Sequence, residues 1–261
     1  MTTEQHDHDK GFQHDRSRWL SRRAALSTMA GVGAVLATPQ SVLAACMALP
    51  PETAGPFPAD GAHGRNASAI NVLTSEGVIR EDLRTSFAGL TPVAQGAPLS
   101  VEIRLVRAGE NCTPLAGHAL YLWHCDTVGY YSIYDEADRN YLRGVGITDA
   151  DGVVRFTTII PGCYDGRWPH MHFEVFDSPR NMNNGRDSLL ISQFALPENV
   201  SRATYEADSR YSNGIKNLNR ISLSQDIAFR DNASAAMAAQ TLQMSGSPTS
   251  GFSGTITIGL A

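Results

Sequence analysis

No stretch of this 261-residue chain approaches the run of about 20 apolar residues that crosses a bilayer. Beyond the N-terminal segment there is no low-complexity tract, and no internal repeat is present anywhere. Basic residues are not in excess: 21 Lys and Arg stand against 26 Asp and Glu, for a net charge of −5, which argues against nucleic acid as a partner. Long helical periods are also missing, which favours short strands over a helical bundle. Instead, 23 Gly and 13 Pro are spread among stretches containing Val, Ile, Thr, Tyr and Phe. That composition predicts an all-β chain of short strands and turns.

The N-terminal segment has its own pattern. Ser21-Arg22-Arg23 opens a short apolar run over residues 24–37, followed by Pro39 and Leu43-Ala44-Ala45. The order is that of a twin-arginine export leader, with residues 1–45 removed and the protein delivered to the periplasm, the cell surface or the medium. Such a leader carries folded proteins, often with a metal already inserted. Residues 1–45 hold four acidic groups (Glu4, Asp7, Asp9, Asp15) and five basic ones (Lys10, Arg16, Arg18, Arg22, Arg23), so their loss takes the net charge from −5 to −6. The remainder divides into an arm over 46–95, rich in Pro, Gly and Ala, and a β domain over 96–261.

Four cysteines, Cys46, Cys112, Cys125 and Cys163, form an even set that suits two disulfides in an oxidising compartment. Of three possible connectivities, Cys125 with Cys163 and Cys46 with Cys112 is the expected one. Leu43-Ala44-Ala45-Cys46 also fits a lipoprotein cleavage box, which makes a lipid anchor at Cys46 the alternative.

Strands are expected at 101–105, where apolar and charged residues alternate, and at 119–123, 153–160, 172–176, 189–194, 220–223 and 255–260. Short helices are expected within 197–207 and 231–239. Asp149-Ala150-Asp151-Gly152 has the opening of a calcium loop without its later acidic ligands, and reads as a hairpin turn. The sum is an antiparallel β-sandwich or barrel with long loops.

The densest chemistry lies in Pro161-Gly162-Cys163-Tyr164-Asp165-Gly166-Arg167-Trp168-Pro169-His170-Met171-His172. Two histidines separated by one residue share a face of a strand, and both imidazoles can reach one ion. Zinc, copper and iron all accept imidazole, so the pair alone does not choose a metal. A lone His-x-His is also a common pair of hydrogen-bonded sheet residues, and a lone Tyr164 a common packing residue.

Framing decides between these readings. Trp123, Gly129 and Tyr131, then Thr148-Asp149-x-Asp151-Gly152, Phe156, Thr158-Ile159-x-Pro161-Gly162-x-Tyr164 and His170-x-His172, resemble the intradiol ring-cleavage dioxygenases. The resemblance runs from about Pro50 to Phe194 and includes Pro51-Glu52-Thr53-Ala54-Gly55-Pro56-Phe57. It implies a β-sandwich core and iron(III) held by Tyr131, Tyr164, His170 and His172. It further implies that Tyr164 is the displaceable ligand and Tyr131 the retained one, with Arg167 and Gln193 as catalytic groups beside the substrate. The implied reaction cleaves a small aromatic diol with O2 to a cis,cis-muconate-type product. Two phenolates and a hydroxide would cancel the charge of iron(III), which suits an apolar cleft.

Alternatives remain. A secreted β-sandwich that binds a metal or ligand without chemistry would share the scaffold, and a zinc hydrolase would share the histidines. Ser132, Asp126 and His124 could be drawn as a hydrolytic triad but lack a nucleophile-elbow motif. His118 and His124 read as structural groups. Residues 46–95 have neither the length nor the periodicity of the helical dimerisation region found in enzymes for plain catechol. A homo-oligomer is compatible with the sequence, and the particular catechol is not legible in it.

Overall fold

The computed structural model describes residues 47–66, 70–109 and 111–261. The leader, its arginine pair and Cys46 lie outside the described residues. Among the described residues, eight strands run β1 (Pro98–Arg107), β2 (Ala119–Trp123), β3 (Arg143–Ile147), β4 (Val153–Ile159), β5 (His170–Phe176), β6 (Leu190–Ala195), β7 (Gln243–Ser247) and β8 (Gly251–Leu260). They form two four-stranded sheets, ordered β4-β1-β8-β7 and β3-β2-β5-β6. Every pairing is antiparallel except β1 with β8, which is parallel. The protein is therefore mostly β, as composition and strand patterning predicted.

The two sheets close on one apolar layer. Leu99, Val101, Ile103 and Leu105 of β1 meet Leu120 and Leu122 of β2, Met171, Phe173 and Val175 of β5, and Ile256 and Ile258 of β8. Each such side chain contributes about 1.5–3 kcal/mol on full burial. In β1 the intervening Ser100 and Arg104 face solvent, which is why that strand alternates so clearly. Strands β2 and β5 are buried on both faces. Their second face carries Ala119, Tyr121, Trp123 and Phe176, and the arm covers it with Ala59, Val72, Leu73, Val78 and Phe87.

The arm is attached to that face through its carbonyls. Tyr121 Oη donates to Pro58 O at 2.7 Å, and the fully buried Arg143 donates from Nη1 to Phe57 O at 2.8 Å and Pro58 O at 3.1 Å. The same guanidinium donates to Ser132 Oγ and Ser132 O, each at 3.1 Å. Arg143 thus ties the arm to the loop that follows β2. Bridges Ile79 to Val145 and Asp82 to Thr157 continue the attachment.

Three short helices, α1 (Glu198–Ala207), α2 (Gly214–Leu218) and α3 (Ser234–Ala239), follow β6. Tyr205 of α1 donates to Pro161 O and Tyr211 to Ile160 O, both at 2.8 Å, which fixes the chain just after β4.

Several expectations need correction. Residues 220–223 form no strand, because Ser222 and Gln225 close a capping box over a 3-10 turn, Leu223–Gln225. Strands β3 and β7 were not expected. The Asp149–Gly152 turn is present, with Gly152 N donating to Asp149 O at 3.0 Å, but it joins strands of different sheets and is not a hairpin. Cys125 and Cys163 are buried free thiols, not a disulfide. Their Sγ atoms donate to different carbonyls, Gly162 O at 3.5 Å and Arg167 O at 3.4 Å. Cys112 is disulfide-bonded.

Candidate active site

The site is built on the outer face of β5, beneath the arm. Met171 and Phe173 enter the core between the sheets, so His170 and His172 point the other way, as the period of two requires. Both are 2 % exposed. His170 Nδ1 lies 2.5 Å from Trp168 O, a contact that needs the proton on Nδ1 and leaves the Nε2 lone pair free. His172 is stacked on Trp123 with ring centroids 5.0 Å apart and planes 9° apart, and Trp123 stacks in turn on Tyr121. Burial, reinforced by the Arg167 charge, pushes both imidazole pKa values well below their usual range. They are therefore neutral, the form that can ligate a cation.

Two loops bring phenols over this pair. Asp126 opens the first: its Oδ1 accepts from Val128 N, Gly129 N and Tyr130 N at 2.9–3.0 Å, winding the chain toward Tyr131. Asp135 Oδ2 then accepts from Tyr131 N at 2.7 Å. Ile133 in the same loop sits at φ +76, a region a β-branched residue rarely adopts, at a cost of about 1–3 kcal/mol. Gly129, at φ +98, lies so near the second loop that a Cβ there would be 2.7 Å from Tyr164 Cβ. The glycine lets the two tyrosine loops pack together.

Four donors converge. Tyr131 Oη lies 3.5 Å from Tyr164 Oη, 3.4 Å from His170 Nε2 and 3.2 Å from His172 Nε2. Tyr164 Oη is 3.3 Å from His170 Nε2, and the two Nε2 atoms are 3.0 Å apart. Oxygen and nitrogen donors held about 2.0–2.1 Å from one ion at tetrahedral angles stand about 3.3–3.4 Å from each other. The spacing therefore fits a single metal ion at the centre, and so does the donor set of two phenols and two neutral imidazoles. Burial raises the Tyr131 phenol well above its normal pKa and the Tyr164 phenol to about 12 even beside Arg167, so neither ionises there without a bound metal ion. Tyr131 is 1 % exposed, whereas Tyr164 is only partly buried.

A charged group stands at the open side. Arg167 Nη1 is 3.5 Å from Tyr164 Oη, its Nε donates to Asp226 Oδ2 at 2.8 Å, and its Nη2 donates to Gln193 Oε1 at 2.6 Å. Gln193 lies on β6 directly across from His172, and its Nε2 donates to Thr53 O of the arm at 2.8 Å. Burial opposes the Arg167 charge, but Tyr164 and Asp226 outweigh it and hold its pKa above the ordinary value. All six residues expected from sequence are thus brought together. Asp226 was missed. It is fully buried and also accepts from Trp168 N at 2.6 Å and Ala228 N at 2.9 Å, yet nothing in its sequence neighbourhood signals a role.

Other candidates fall away. His124 spans Cys125 O and Thr158 Oγ1, Ser132 Oγ donates to Tyr141 O, and Asp126 caps its own loop, so these three form no triad.

A dioxygenase family model matches residues 74–183, a segment holding Tyr131, Tyr164, Arg167, His170 and His172. Catechol 1,2-dioxygenase 1 of Acinetobacter lwoffii is 32% identical over 114 residues, 33% of this chain and 36% of that protein. Over this segment the chain is similar to the dioxygenases that cleave catechol rings. The fold agrees. The intradiol ring-cleavage dioxygenase of Tetranychus urticae superposes with a TM-score of 0.61 at 22% identity, over 82% of this chain and 95% of that one. The match to the Acinetobacter protein spans only about a third of its length, and Gln193 and Asp226 lie beyond the segment the family model covers.

Proposed function

We propose that the protein is a non-haem iron(III) intradiol dioxygenase that opens catechol-type rings with O2. The observation that carries this reading is the convergence of Tyr131, Tyr164, His170 and His172 on one point, with a guanidinium at its open side. Iron(III) held by these four residues would draw electron density from a bound catecholate and open a ring carbon to attack by O2. The protein's own groups do the rest.

Tyr131, His170 and His172 are enclosed and form the fixed side of the site. Tyr164 is the accessible member, and its Oη would take the proton released by an incoming catechol hydroxyl. Arg167 keeps its charge and faces that oxygen, so it stabilises negative charge as the substrate ionises and as the ring is attacked. Asp226 and Gln193 hold the guanidinium plane in that direction. The arm excludes water from the imidazole side, where Gly55 lets the chain pass so near that a Cβ would lie 3.2 Å from His172 Cε1. Both atoms of O2 would enter a cis,cis-muconate-type product.

Export through residues 1–45 is part of the same proposal, supported by Arg22-Arg23 ahead of the apolar run and by the disulfide at Cys112. Purified protein should carry one iron per chain and a red-brown tyrosinate absorption that changes on anaerobic addition of catechol. Oxygen uptake should follow when air is admitted. Tyr131→Phe should shift or bleach the band. Colourless protein with stoichiometric zinc, inert toward catechols and O2, would overturn the proposal.

A further inference from the structure

Two residues beyond His172 on the same face of β5, about 7 Å along the strand, stands a second group of ligand-type side chains. Glu174 is fully buried, and neither of its carboxylate oxygens has a hydrogen-bond partner among the described residues. Facing it from the arm are Asp60, also fully buried, and His63, about a third exposed. Asp60 Oδ1 accepts from Ala62 N and His63 N, each at 2.8 Å, which turns Oδ2 toward His63 Nδ1 at 2.5 Å. His63 Nδ1 is 3.9 Å from Glu174 Oε1, and the three ligand atoms lie within 4.8 Å of one another.

Two buried carboxyl groups facing each other cannot both ionise without a cation, and burial with the neighbouring Asp60 keeps Glu174 in its neutral form. Arg143 does not relieve them, because its N–H groups go to Phe57 O, Pro58 O, Tyr121 Oη and Ser132. A dication would cancel both charges. The cradle is kept open by Gly185, where a Cβ would fall 2.0 Å from Asp60 Oδ2 and 2.9 Å from His63 Nδ1. Gly185 N donates to Asp60 O at 2.9 Å, so this approach is built in. His63 and Gly185 also line a surface pocket of about 560 Å³ together with Glu52 and Arg186, which gives water and ions a route in.

We propose that Asp60, His63 and Glu174 form a second metal site, for a divalent transition cation of the zinc type, that fastens the arm to β5. Two carboxylate oxygens and one imidazole nitrogen are a borderline donor set suited to such an ion. The ion would replace the proton now held between Asp60 Oδ2 and His63 Nδ1, and it would draw donors at 2.5–3.9 Å separation to about 3–3.5 Å. Because Glu174 shares its strand face with His172, the clamp would also restrain the wall of the Tyr/His site.

The test counts zinc. Purified holoprotein is equilibrated with excess zinc, desalted and analysed by elemental mass spectrometry, with Tm recorded before and after. Wild type should retain one more zinc per chain than Glu174→Gln or His63→Ala, and zinc should raise Tm in wild type alone. His63 is partly exposed, so His63→Ala keeps the test available if Glu174→Gln fails to fold. Equal zinc counts in wild type and the folded variants would mean that the carboxylates simply share a proton, and would overturn the site.

Discussion

Asp226→Asn is the most informative perturbation of the Tyr/His site, because it removes a fully buried charge that reaches the site through Arg167. Asp226 is fully buried and Arg167 only 12 % exposed in its side chain, with Nε to Oδ2 at 2.8 Å. Removing one partner of a buried ion pair costs about 3–5 kcal/mol, and the lower end applies because Gln193 Oε1 still accepts from Nη2 at 2.6 Å. Some of that loss is independent of Arg167, since Oδ2 also accepts from Trp168 N. A double-mutant cycle with Arg167→Met separates the two parts. Urea unfolding of wild type, both single variants and the double variant should give a coupling of about 1–3 kcal/mol. In the same proteins, Arg167→Met should lower kcat/KM by about 10²–10³, as loss of one electrostatic stabiliser does. Asp226→Asn leaves the guanidinium present but untethered, and should lower it by about tenfold. A coupling below about 0.5 kcal/mol, with Asp226→Asn equally damaging in both backgrounds, would show that Asp226 does not act through Arg167.

Gly129→Ala places a side chain at φ +98 and 2.7 Å from Tyr164 Cβ. Positive φ costs about 1–2 kcal/mol and the overlap about 1–3 more, so urea unfolding should show a loss of about 2–5 kcal/mol; a change under 0.5 would refute the packing argument. His124 is buried and neutral, its pKa lowered by burial from 6.5 to about 4. Because its folded pKa lies below the unfolded one, the unfolded chain takes up the proton first as pH falls through 6.5. Stability is then lost down to about pH 4, and the share due to His124 between pH 7 and 5 is about 2 kcal/mol. Denaturant titrations at both pH values should show that increment in wild type and not in His124→Gln; equal pH dependence in the two proteins would contradict the assignment.

What was legible in the sequence was local. His170-x-His172 could be placed on one strand face because the period of a strand is two, and the structure puts both Nε2 atoms on that face. The alternation in β1 was legible because one of its faces meets solvent. Strand β3 was not, since Arg143-Gly144-Val145-Gly146-Ile147 carries two glycines where a strand pattern wants bulk. Gly146 is there because a Cβ would stand 2.2 Å from Val154 Cγ2, a constraint set by another sheet. Strand β7, Gln-Met-Ser-Gly-Ser, is polar and at a sheet edge, so it has no apolar period to read. Residues 220–223 failed for the opposite reason, an apolar alternation overruled by the Ser222–Gln225 capping box.

The site divides along the same line. Its metal-type donors sit within 41 residues of one another, from Tyr131 to His172, on a strand and two adjoining loops, and their framing residues carry the pattern. The groups that aim them come from far away in sequence. Asp226 meets Arg167 across 59 residues, Gln193 meets Thr53 across 140, and Glu174 meets Asp60 and His63 only because the arm folds back over β5. None of these partners lies at a spacing that a strand or helix period could reveal, because the sandwich and the covering arm alone bring them together. A residue that donates to the reacting centre can be found by its type and framing. A residue that positions the donor shows itself only as the partner of a buried charge, as Asp226 does beside Arg167.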